Sequence, residues 1–312
     1  MSASPTVSVL MPVYNSERYV AQAIESILNQ TFSDFELLII NDGSTDRSLS
    51  ILQRYAAQDP RIRLFSRENQ GIARTRNELL HRATGEFIAV LDSDDIALPD
   101  RLARQLQFLR QHPEVVCLGS AYQIMDSAGR VLTALPVPLD DAEIQRLALA
   151  GHASIFQSCV MMRRAVVLDI GGYNNALPPA EDLDLWLRLG EVGQLANLPE
   201  VLVQYRVHAN SVSERDCAFQ RQQAYEACRQ AWQRRGITGQ FEATEPWRPG
   251  KDRASQHRFW LQYGWWAFNS GERQTAIHYG MKAIQTLPLQ PAGWTLLRCA
   301  LLKPLPHPEA DH

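Results

Sequence analysis

Residues 86–95 read EFIAVLDSDD, an apolar run that ends abruptly in three carboxylates. Gly85 precedes the run and Pro99 follows the acids, so turn-forming residues bound it on both sides. This pattern is typical of a strand that is buried on both faces of a parallel sheet. Ligand crevices in open α/β sheets lie at the carboxyl ends of the strands. The stretch therefore predicts a buried strand that brings carboxylates to a ligand site.

The acids after this strand support two interpretations. Asp92 and Asp94 can direct oxygen ligands towards one point, and a divalent cation that carries phosphate takes one or two such carboxylates plus water. Alternatively, Asp is common in turns, and these acids would cap the helix that begins near Pro99. The acids alone leave a metal–diphosphate site and a solvated turn equally open.

The first 95 residues alternate between apolar strands and amphipathic helices. Strands are predicted from residue 7, at 35–40, at 61–65 and at 86–91, with helices at 17–30, around 49–55 and at 72–82. Asn15 and Ser16 are good helix caps and predict that the first helix follows them directly. Short connections of this kind require right-handed crossovers and a parallel sheet. The predicted fold class is α/β, with a mostly parallel sheet and flanking helices.

The rest of the chain changes character near residue 213. Before that point the pattern predicts a helix at 99–111, a hairpin at 115–133, helices near 140–150 and 178–189, and a strand at 201–207. Beyond it the sequence is helical and rich in Arg, Gln, Trp and Leu, with a Pro- and Gly-bearing linker at 246–250. We therefore predict an α/β domain at residues 1–213 and a helical region at residues 214–312.

Composition and charge narrow the class of protein. Of the 312 residues, 45% are hydrophobic and 21% are charged, and the net charge of -3 gives no sign of a nucleic-acid partner. The five cysteines form no C-x-x-C pair, which indicates free thiols in a reducing compartment. The amino terminus lacks a signal-peptide pattern, and no uncharged apolar stretch reaches the ~18 residues of a membrane span. These features predict a cytoplasmic protein.

Polar clusters follow four of the predicted strands. They lie at residues 12–15, 41–46, 69–77 and 92–95, which a parallel sheet would place along one edge. The sequence contains neither G-x-G-x-x-G nor G-x-x-x-x-G-K-[ST], so it predicts neither a dinucleotide fold nor a P-loop. A bound diphosphate would instead need a cation and arginines.

Six motifs in this order resemble those of the family 2 glycosyltransferases. They are SVLMPVYN at 8–15, IINDGSTD at 39–46, ENQG at 68–71 with Arg76 and Asn77, LDSDD at 91–95, EDLDLW at 181–186 and YRVH at 205–208. The resemblance covers about residues 6–213 and makes residues 1–213 the catalytic domain. It implies an inverting enzyme of the GT-A fold, of the type that builds bacterial cell-surface polysaccharides.

The resemblance implies a binding site for the nucleotide base. Pro12 and Tyr14 would line the base, and the carboxylate of Asp42 would accept a hydrogen bond from it. A Tyr ring offers a face for stacking, and a carboxylate is a good acceptor for a pyrimidine N–H. We favour UDP, with dTDP or GDP as alternatives, because a guanine N–H would also serve. Tyr14 could instead be a half-buried aromatic at a strand end.

The same resemblance assigns the rest of the nucleotide-sugar site. Asn69 and Arg76 would hold the base and phosphate side, and Asp92 would bind the ribose. Asp94 and His208 would hold a divalent cation, Mn²⁺ or Mg²⁺, and Mn²⁺ is favoured because Mg²⁺ prefers oxygen donors over imidazole. Alternatively, Arg76 is a solvated charge on a helix face, and a lone His such as His208 is more often structural than a ligand.

The implied reaction is a single displacement. A hydroxyl of a glycan or of a lipid-linked acceptor attacks the sugar of the nucleotide-sugar donor from the face opposite the diphosphate, which inverts the anomeric configuration. A carboxylate must take the proton of that hydroxyl, and the resemblance gives this role to Asp182. A cation would stabilise the charge on the leaving diphosphate. Alternatively, Glu181 and Asp182 only complement the dipole of the helix that begins there.

Two other classes of function are open on the sequence. A sugar nucleotidyltransferase should carry a Gly-rich basic loop near its amino terminus, where this chain has MPVY at residues 11–14. A non-catalytic, glycan-associated scaffold protein would not need Asp94, Asp182 and His208 intact.

The carboxy-terminal region also supports two interpretations. Residues 214–312 hold 13 Arg and Lys against 9 Asp and Glu, and residues 259–268 read FWLQYGWWAF. Aromatic and basic residues on short helices, with leucines at 296–302, suit a peripheral contact with the inner face of the cell membrane. Alternatively, the aromatic side chains form a core between helices or a contact between the subunits of a homodimer.

Overall fold

The computed structural model describes residues 4–208, 217–244 and 252–306, which form two compact units. The larger unit holds residues 4–122, 136–205 and 217–244, and the smaller holds residues 123–135, 206–208 and 252–306. The boundary predicted near residue 213 lies outside the described residues, as does the predicted linker at 246–250. The division into domains at that boundary therefore stays a prediction.

Four parallel strands form the amino-terminal half of the sheet. They are β1 (Val7–Val13), β2 (Phe35–Asp42), β3 (Ile62–Arg67) and β4 (Phe87–Val90). Their order is β3-β2-β1-β4, and every neighbouring pair is parallel. β1 thus lies between β2 and β4. From β1 the chain proceeds outwards to β2 and β3, and it then returns to the other side of β1 as β4, so the order of the strands reverses between β1 and β4. Such a switch point is where open α/β sheets bind ligands.

Three helices connect these strands and cover the sheet. They are α1 (Val20–Leu28), α2 (Ser48–Gln58) and α3 (Ile72–Arg82). Alternate residues of each strand point to opposite faces, so Leu37 packs into one core cluster and Leu38 into the other. Both clusters are buried, which explains why these strands are apolar at nearly every position. The predicted α/β class is confirmed.

The predicted start of α1 is wrong. Asn15 and Ser16 do not cap the helix, which begins at Val20 after Tyr19 without a side-chain cap. Asn15 adopts a left-handed conformation (φ 50°), and its Oδ1 accepts a hydrogen bond from the backbone N–H of Thr45 at 2.8 Å. The polar residues after β1 therefore bind a neighbouring loop instead of their own helix.

Antiparallel pairs complete the sheet. The remaining strands of its main path are β5 (Ile96–Ala97), β6 (Val115–Met125), β8 (Met161–Arg163) and β9 (Gln194–Arg206), in the order β4-β8-β6-β9-β5. β8 is antiparallel to both β4 and β6, and β9 is antiparallel to β5. The two-residue strand β5 is too short for hydrophobic periodicity to indicate it.

Further helices belong to the larger unit. They are α4 (Arg101–Gln111), α5 (Asp141–Leu149), α6 (Arg164–Asp169), α7 (Glu181–Leu189) and α8 (Cys217–Arg235). A 3-10 turn at Gln157–Cys159 precedes β8. The predicted helices at 99–111, 140–150 and 178–189 correspond to α4, α5 and α7.

The smaller unit combines a strand with three helices. β7 (Val131–Leu135) pairs with β6, as the predicted hairpin requires, and α9 (Arg253–Asn269), α10 (Arg273–Thr286) and α11 (Pro291–Leu302) follow. Phe268 and Leu296 lie in its core, and the ring of Trp260 stacks on Tyr279 at 5.7 Å. None of the helices in the described ranges combines the length and the apolar character that a membrane span requires.

A buried arginine joins α4 to the end of β4. Arg101 is fully buried, and its Nη2 donates hydrogen bonds to the carbonyl oxygens of Val90 at 2.7 Å and Val160 at 3.1 Å. Burial lowers the pKa of Arg101 to about 10, so the side chain stays charged at neutral pH. Arg101 therefore fixes the strand end from which the acids at 92–95 emerge.

Replacing Arg101 by Met should destabilise the larger unit by about 2 kcal/mol, because it removes the Arg101 donor from the buried carbonyls of Val90 and Val160, of which Val160 keeps the backbone N–H of Val90. Urea unfolding measures the loss. Arg104→Met is the matched control on the same helix: Arg104 has a half-exposed side chain paired with Glu200, and its loss should cost about 0–1 kcal/mol. Equal small losses for the two variants would contradict the role of Arg101.

Candidate active site

The loops at the carboxyl ends of the parallel strands are hydrogen-bonded to one another. Ser16 Oγ lies 2.6 Å from Ser93 Oγ, which joins the loop after β1 to the acids after β4. The backbone N–H of Ser16 donates to Ser48 Oγ at 2.8 Å, which joins the same loop to the start of α2. The polar clusters predicted for this edge of the sheet therefore form one connected surface at the switch point between β1 and β4.

Asp42 ends β2 and organises the loop after β3. Its carboxylate accepts hydrogen bonds from the backbone N–H groups of Gln70 at 2.9 Å and Gly71 at 3.0 Å, and from the guanidinium of Arg67. Asn69 Nδ2 donates to the backbone carbonyl of Asp42 at 2.9 Å. A carboxylate has about four acceptor positions, so these three bonds leave room for about one ligand donor.

Gly43 makes this arrangement possible. It adopts φ +72°, and a Cβ there would lie 2.6 Å from the backbone N of Asn69. Only glycine fits both the conformation and the close approach. The sequence analysis did not single out Arg67 or Gly43, although both lie beside residues that it named.

Pro12 and Tyr14 differ in exposure. Pro12 is buried in β1 opposite Ile40 of β2, whereas the side chain of Tyr14 is 48% exposed just beyond the strand. An exposed ring at the carboxyl edge of the sheet is available for stacking. The contribution of both residues to a base site stays a prediction.

Arg76 connects three distant segments of the chain. It is only 6% exposed, although it lies on α3, so it is not the solvated helix-face charge considered as an alternative. Its Nη2 donates to both carboxylate oxygens of Asp92 at 2.9 and 3.2 Å, and its Nη1 donates to Glu181 Oε1 at 2.5 Å. The guanidinium carbon lies 5.7 Å from the ring centre of Tyr173. We call these four residues the Arg76 network.

The network shifts the pKa values of its members. Burial opposes the charge of Arg76, but the carboxylates of Asp92 and Glu181 outweigh that effect and raise its pKa. Burial raises the pKa of Glu181 to about 7 and also raises the pKa of Asp182, and in both cases the charge of Arg76 acts in the opposite direction. Asp182 is thus a carboxylate with a higher proton affinity than an ordinary Asp.

Residues that the sequence analysis did not assign to the site complete its surroundings. Glu181 appeared only as a helix-dipole residue, and nothing local predicts its bond to Arg76. Tyr173 is held by Asn77, which donates to its carbonyl at 2.8 Å and accepts from its backbone N–H at 2.8 Å. Gln157 Nε2 donates to Tyr173 Oη at 2.8 Å. The contacts of Asn77 with Tyr173 and of Arg76 with Glu181 join residues 96 and 105 positions apart and leave no periodic signal.

The predicted metal ligands lie in different units. Asp94 is partly exposed in the turn after β4 in the larger unit, and His208 follows β9 in the smaller unit. Their pairing at one cation therefore stays a prediction. In the part of the chain that the structure describes, no three His, Cys, Asp or Glu side chains form a group that could hold a metal ion. One carboxylate with one imidazole suits a cation that takes its other ligands from a diphosphate and water.

The Arg76–Glu181 pair should behave as one unit in a double-mutant cycle. Arg76→Met leaves buried carboxylates uncompensated and should cost about 3–5 kcal/mol of unfolding free energy. Glu181→Gln should cost about 1–3 kcal/mol, and the double variant should lose less than the sum by about 0.5–3 kcal/mol. Urea unfolding of the four proteins gives the coupling.

Arg74→Met is the control for this cycle, because Arg74 is exposed on the same helix and its loss should change stability by no more than about 0.5 kcal/mol. Additive losses for Arg76→Met and Glu181→Gln would show that the buried pair is energetically unimportant.

Comparisons with known proteins agree with this geometry. The model of the family "Glycosyl transferase family 2" matches residues 8–171, more than half of the chain. EpsE of Bacillus subtilis, named as a glycosyltransferase, is 34% identical over 73% of this chain and 84% of its own length. The amylovoran biosynthesis glycosyltransferase AmsE of Erwinia amylovora is 33% identical over 67% of this chain and 79% of its own length.

A solved structure supports the fold. The mannosyltransferase PcManGT of Pyrobaculum calidifontis, in complex with GDP-Man and Mn²⁺, is similar with a TM-score of 0.59 and 18% identity, over 96% of this chain and 81% of that one. At this identity the likeness is evidence for the shared GT-A architecture. The chain therefore belongs to glycosyl transferase family 2 and is a transferase enzyme.

Proposed function

We propose that this enzyme moves a sugar from a nucleoside-diphosphate sugar to a hydroxyl of a glycan or a lipid-linked acceptor, with inversion of the anomeric configuration. The observation that carries the proposal is the Arg76 network. One buried guanidinium binds both Asp92, on the donor side, and Glu181, the neighbour of the proposed base Asp182. The donor site and the base are therefore linked through a single side chain.

The nucleotide in this proposal is UDP, with dTDP or GDP as alternatives. Asp42 accepts three hydrogen bonds from the protein and retains room for a ring N–H of the base. The exposed ring of Tyr14 and the neighbouring Pro12 would cover the base, and Asn69 and Arg76 would lie on its phosphate side. A guanine N–H could also reach Asp42, and the similar PcManGT structure contains GDP-Man.

Asp94, with His208, would hold a divalent cation, Mn²⁺ or Mg²⁺, against the diphosphate. Such a cation supplies positive charge that stabilises the leaving diphosphate. Asp94 is partly exposed at the switch point, and the hydrogen bond between Ser16 and Ser93 anchors its loop. These two observations support Asp94 as a ligand, and neither of them concerns His208.

Asp182 would act as the general base. It lies next to Glu181 at the start of α7, and its Oδ1 accepts a hydrogen bond from the backbone N–H of Leu183 at 2.7 Å. Burial raises its pKa, and a carboxylate of higher proton affinity is a better acceptor for the proton of a sugar hydroxyl. The carboxylate must be ionised to act, so activity should fall on acidification.

The acceptor is proposed from chemistry and from relatives. A base beside a nucleotide-sugar site needs only a hydroxyl, which glycans and lipid-linked sugars both supply. The name of the relative AmsE refers to the biosynthesis of a polysaccharide, amylovoran. We therefore favour a growing cell-surface polysaccharide as the acceptor.

Replacing Asp182 by Asn should lower kcat by about 10²–10⁴-fold, because the variant lacks a positioned base. Its affinity for UDP should be unchanged, and the wild-type rate should fall with decreasing pH at values closer to neutrality than for an ordinary Asp. Turnover with a panel of nucleotide sugars at several pH values measures the rates, and calorimetry measures the affinity for UDP. Asp169→Asn, at an exposed position on α6, is the control. Near wild-type transfer by Asp182→Asn would remove Asp182 from the mechanism.

Replacing Asp94 by Ala should weaken the binding of UDP in the presence of Mn²⁺ by at least about tenfold, because charge-assisted contacts through the cation are lost. Without metal, the two proteins should bind UDP equally weakly. Calorimetry with and without Mn²⁺ measures the difference. Undiminished metal-dependent affinity in the variant would exclude Asp94 as a ligand.

The smaller unit suggests a weak attachment to anionic membranes. Most of its aromatic run packs inside the unit, but Trp294, Leu301 and Leu302 on α11 are 54%, 56% and 76% exposed. The exposed basic residues Arg298 and Lys303 lie on or just after the same helix. Apolar and basic side chains together suit a membrane interface, where a lipid-linked acceptor would be found.

Replacing Trp294, Leu301 and Leu302 together by Ser should abolish flotation with anionic liposomes. The wild-type protein should co-float at low salt and detach at high salt, because screening weakens its attraction to the lipids. If the wild-type protein does not float, the membrane proposal is wrong and the exposed face serves helix packing or a homodimer. Size-exclusion chromatography with light scattering distinguishes these two cases.

A further inference from the structure

Two buried acceptor atoms at the Arg76 network have no hydrogen-bond partner among the described residues. They are Gln157 Oε1 and Glu181 Oε2, and the two residues are 4% and 3% exposed. Such unpaired groups are rare in native proteins, because each one costs about 1–3 kcal/mol. Where they occur at a ligand site, they indicate donors that the ligand brings.

The surroundings of Gln157 fix its position in the site. It begins the 3-10 turn Gln157–Cys159, and the next residue, Ser158, accepts a hydrogen bond from the backbone N–H of Asp92 at 3.1 Å. Its own Nε2 donates to Tyr173 Oη at 2.8 Å, and Tyr173 packs against Arg76. The amide is thus held by a member of the Arg76 network, on a turn that is itself bonded to Asp92.

The orientation of the amide does not change this conclusion. If Nε2 and Oε1 exchanged places, Tyr173 Oη could donate to the oxygen, but the amide nitrogen would then be unpaired. Either orientation leaves one buried polar atom for which the described residues provide no partner. A hydroxyl group satisfies both cases, because it donates and accepts hydrogen bonds.

The proposed function, on which this inference rests, indicates which hydroxyl is available. The N–H of the base and the ribose hydroxyls are assigned to Asp42 and Asp92. The hydroxyls that remain in a nucleotide-sugar donor belong to the sugar, which must lie between the diphosphate and Asp182 for the displacement to occur. Gln157 precedes Ser158, which binds the backbone of Asp92, and its amide binds Tyr173 of the Arg76 network.

We propose that Gln157 forms a hydrogen bond with a hydroxyl of the transferred sugar and is a specificity-determining residue for the donor. A site that pairs a buried amide with a substrate hydroxyl rejects analogues that lack the hydroxyl, because the amide is then left unpaired. Gln157 therefore acts on the choice of sugar and has no part in binding the nucleotide.

Gln157→Met tests this inference by separating sugar from nucleotide affinity. Calorimetry with Mn²⁺ gives dissociation constants for UDP and for UDP-glucose, UDP-galactose, UDP-N-acetylglucosamine and GDP-mannose. For the best donor, the variant should bind the nucleotide sugar about tenfold more weakly, which equals about 1.4 kcal/mol. Its affinity for the free nucleoside diphosphate should equal that of the wild type, which also shows that the site is folded.

Gln30→Met is the matched control. Gln30 is a similarly buried glutamine, but its amide is fully paired with Ser26, Leu98 and Leu102, none of which is assigned to the site. This variant should unfold more easily than Gln157→Met, because it breaks three hydrogen bonds where Gln157→Met breaks one. The ratio of its sugar-nucleotide and nucleotide affinities should equal that of the wild type.

A second experiment varies the donor and compares the wild type with Gln157→Met. Deoxy analogues of the best donor should show one position at which loss of the hydroxyl weakens binding to the wild type about tenfold but leaves binding to Gln157→Met unchanged. Equal effects of Gln157→Met on UDP and UDP-sugar, or no effect on either, would overturn the inference. Failure of the wild-type protein to bind any nucleotide sugar would instead overturn the proposed function.

Discussion

The rest of the site depends on one interaction, the pairing of the buried Arg76 guanidinium on α3 with the carboxylates of Asp92 and Glu181. An isolated guanidinium at 6% exposure would be very unfavourable. It is stable because Asp92 and Glu181 neutralise it and Tyr173 covers it with a ring face. These partners lie on the end of β4, the start of α7 and the segment between α6 and α7. One ion-pair network therefore fixes Asp92 relative to Glu181, the neighbour of Asp182.

The parallel sheet makes this network possible. Because the strands run in one direction, the loops after β1, β2, β3 and β4 all emerge at one edge. Their polar residues then bond to each other, through Ser16 and Ser93 on one side and through Asp42 and the loop after β3 on the other. The helix starts and strand ends supply the charges, and the buried apolar strands hold them at fixed positions.

The parallel half of the sheet and the family could both be predicted from the sequence, because both leave local patterns in it. Apolar runs, turn residues and six ordered motifs are all short-range features. The motifs indicated Arg76 and Asp92, but no local pattern predicted the bond between them. Asn15 was predicted to cap α1, whereas its side chain binds the loop after β2. Gln157 and Tyr173 were missed, since their positions follow from contacts between distant segments. The pairing of Asp94 with His208 and the roles of the remaining site residues stay predictions.

The anomeric configuration of the first product tests the central claim most directly. In the proposed mechanism Asp182 takes the proton of an incoming hydroxyl, which attacks the sugar in a single displacement while the diphosphate leaves from the opposite face. Proton NMR of the product formed from an α-linked nucleotide sugar distinguishes the two outcomes through the coupling constant at the anomeric carbon. A single displacement predicts a β-linked product. An α-linked product would contradict it, because a hydroxyl that attacks from the face opposite the diphosphate cannot retain the α configuration.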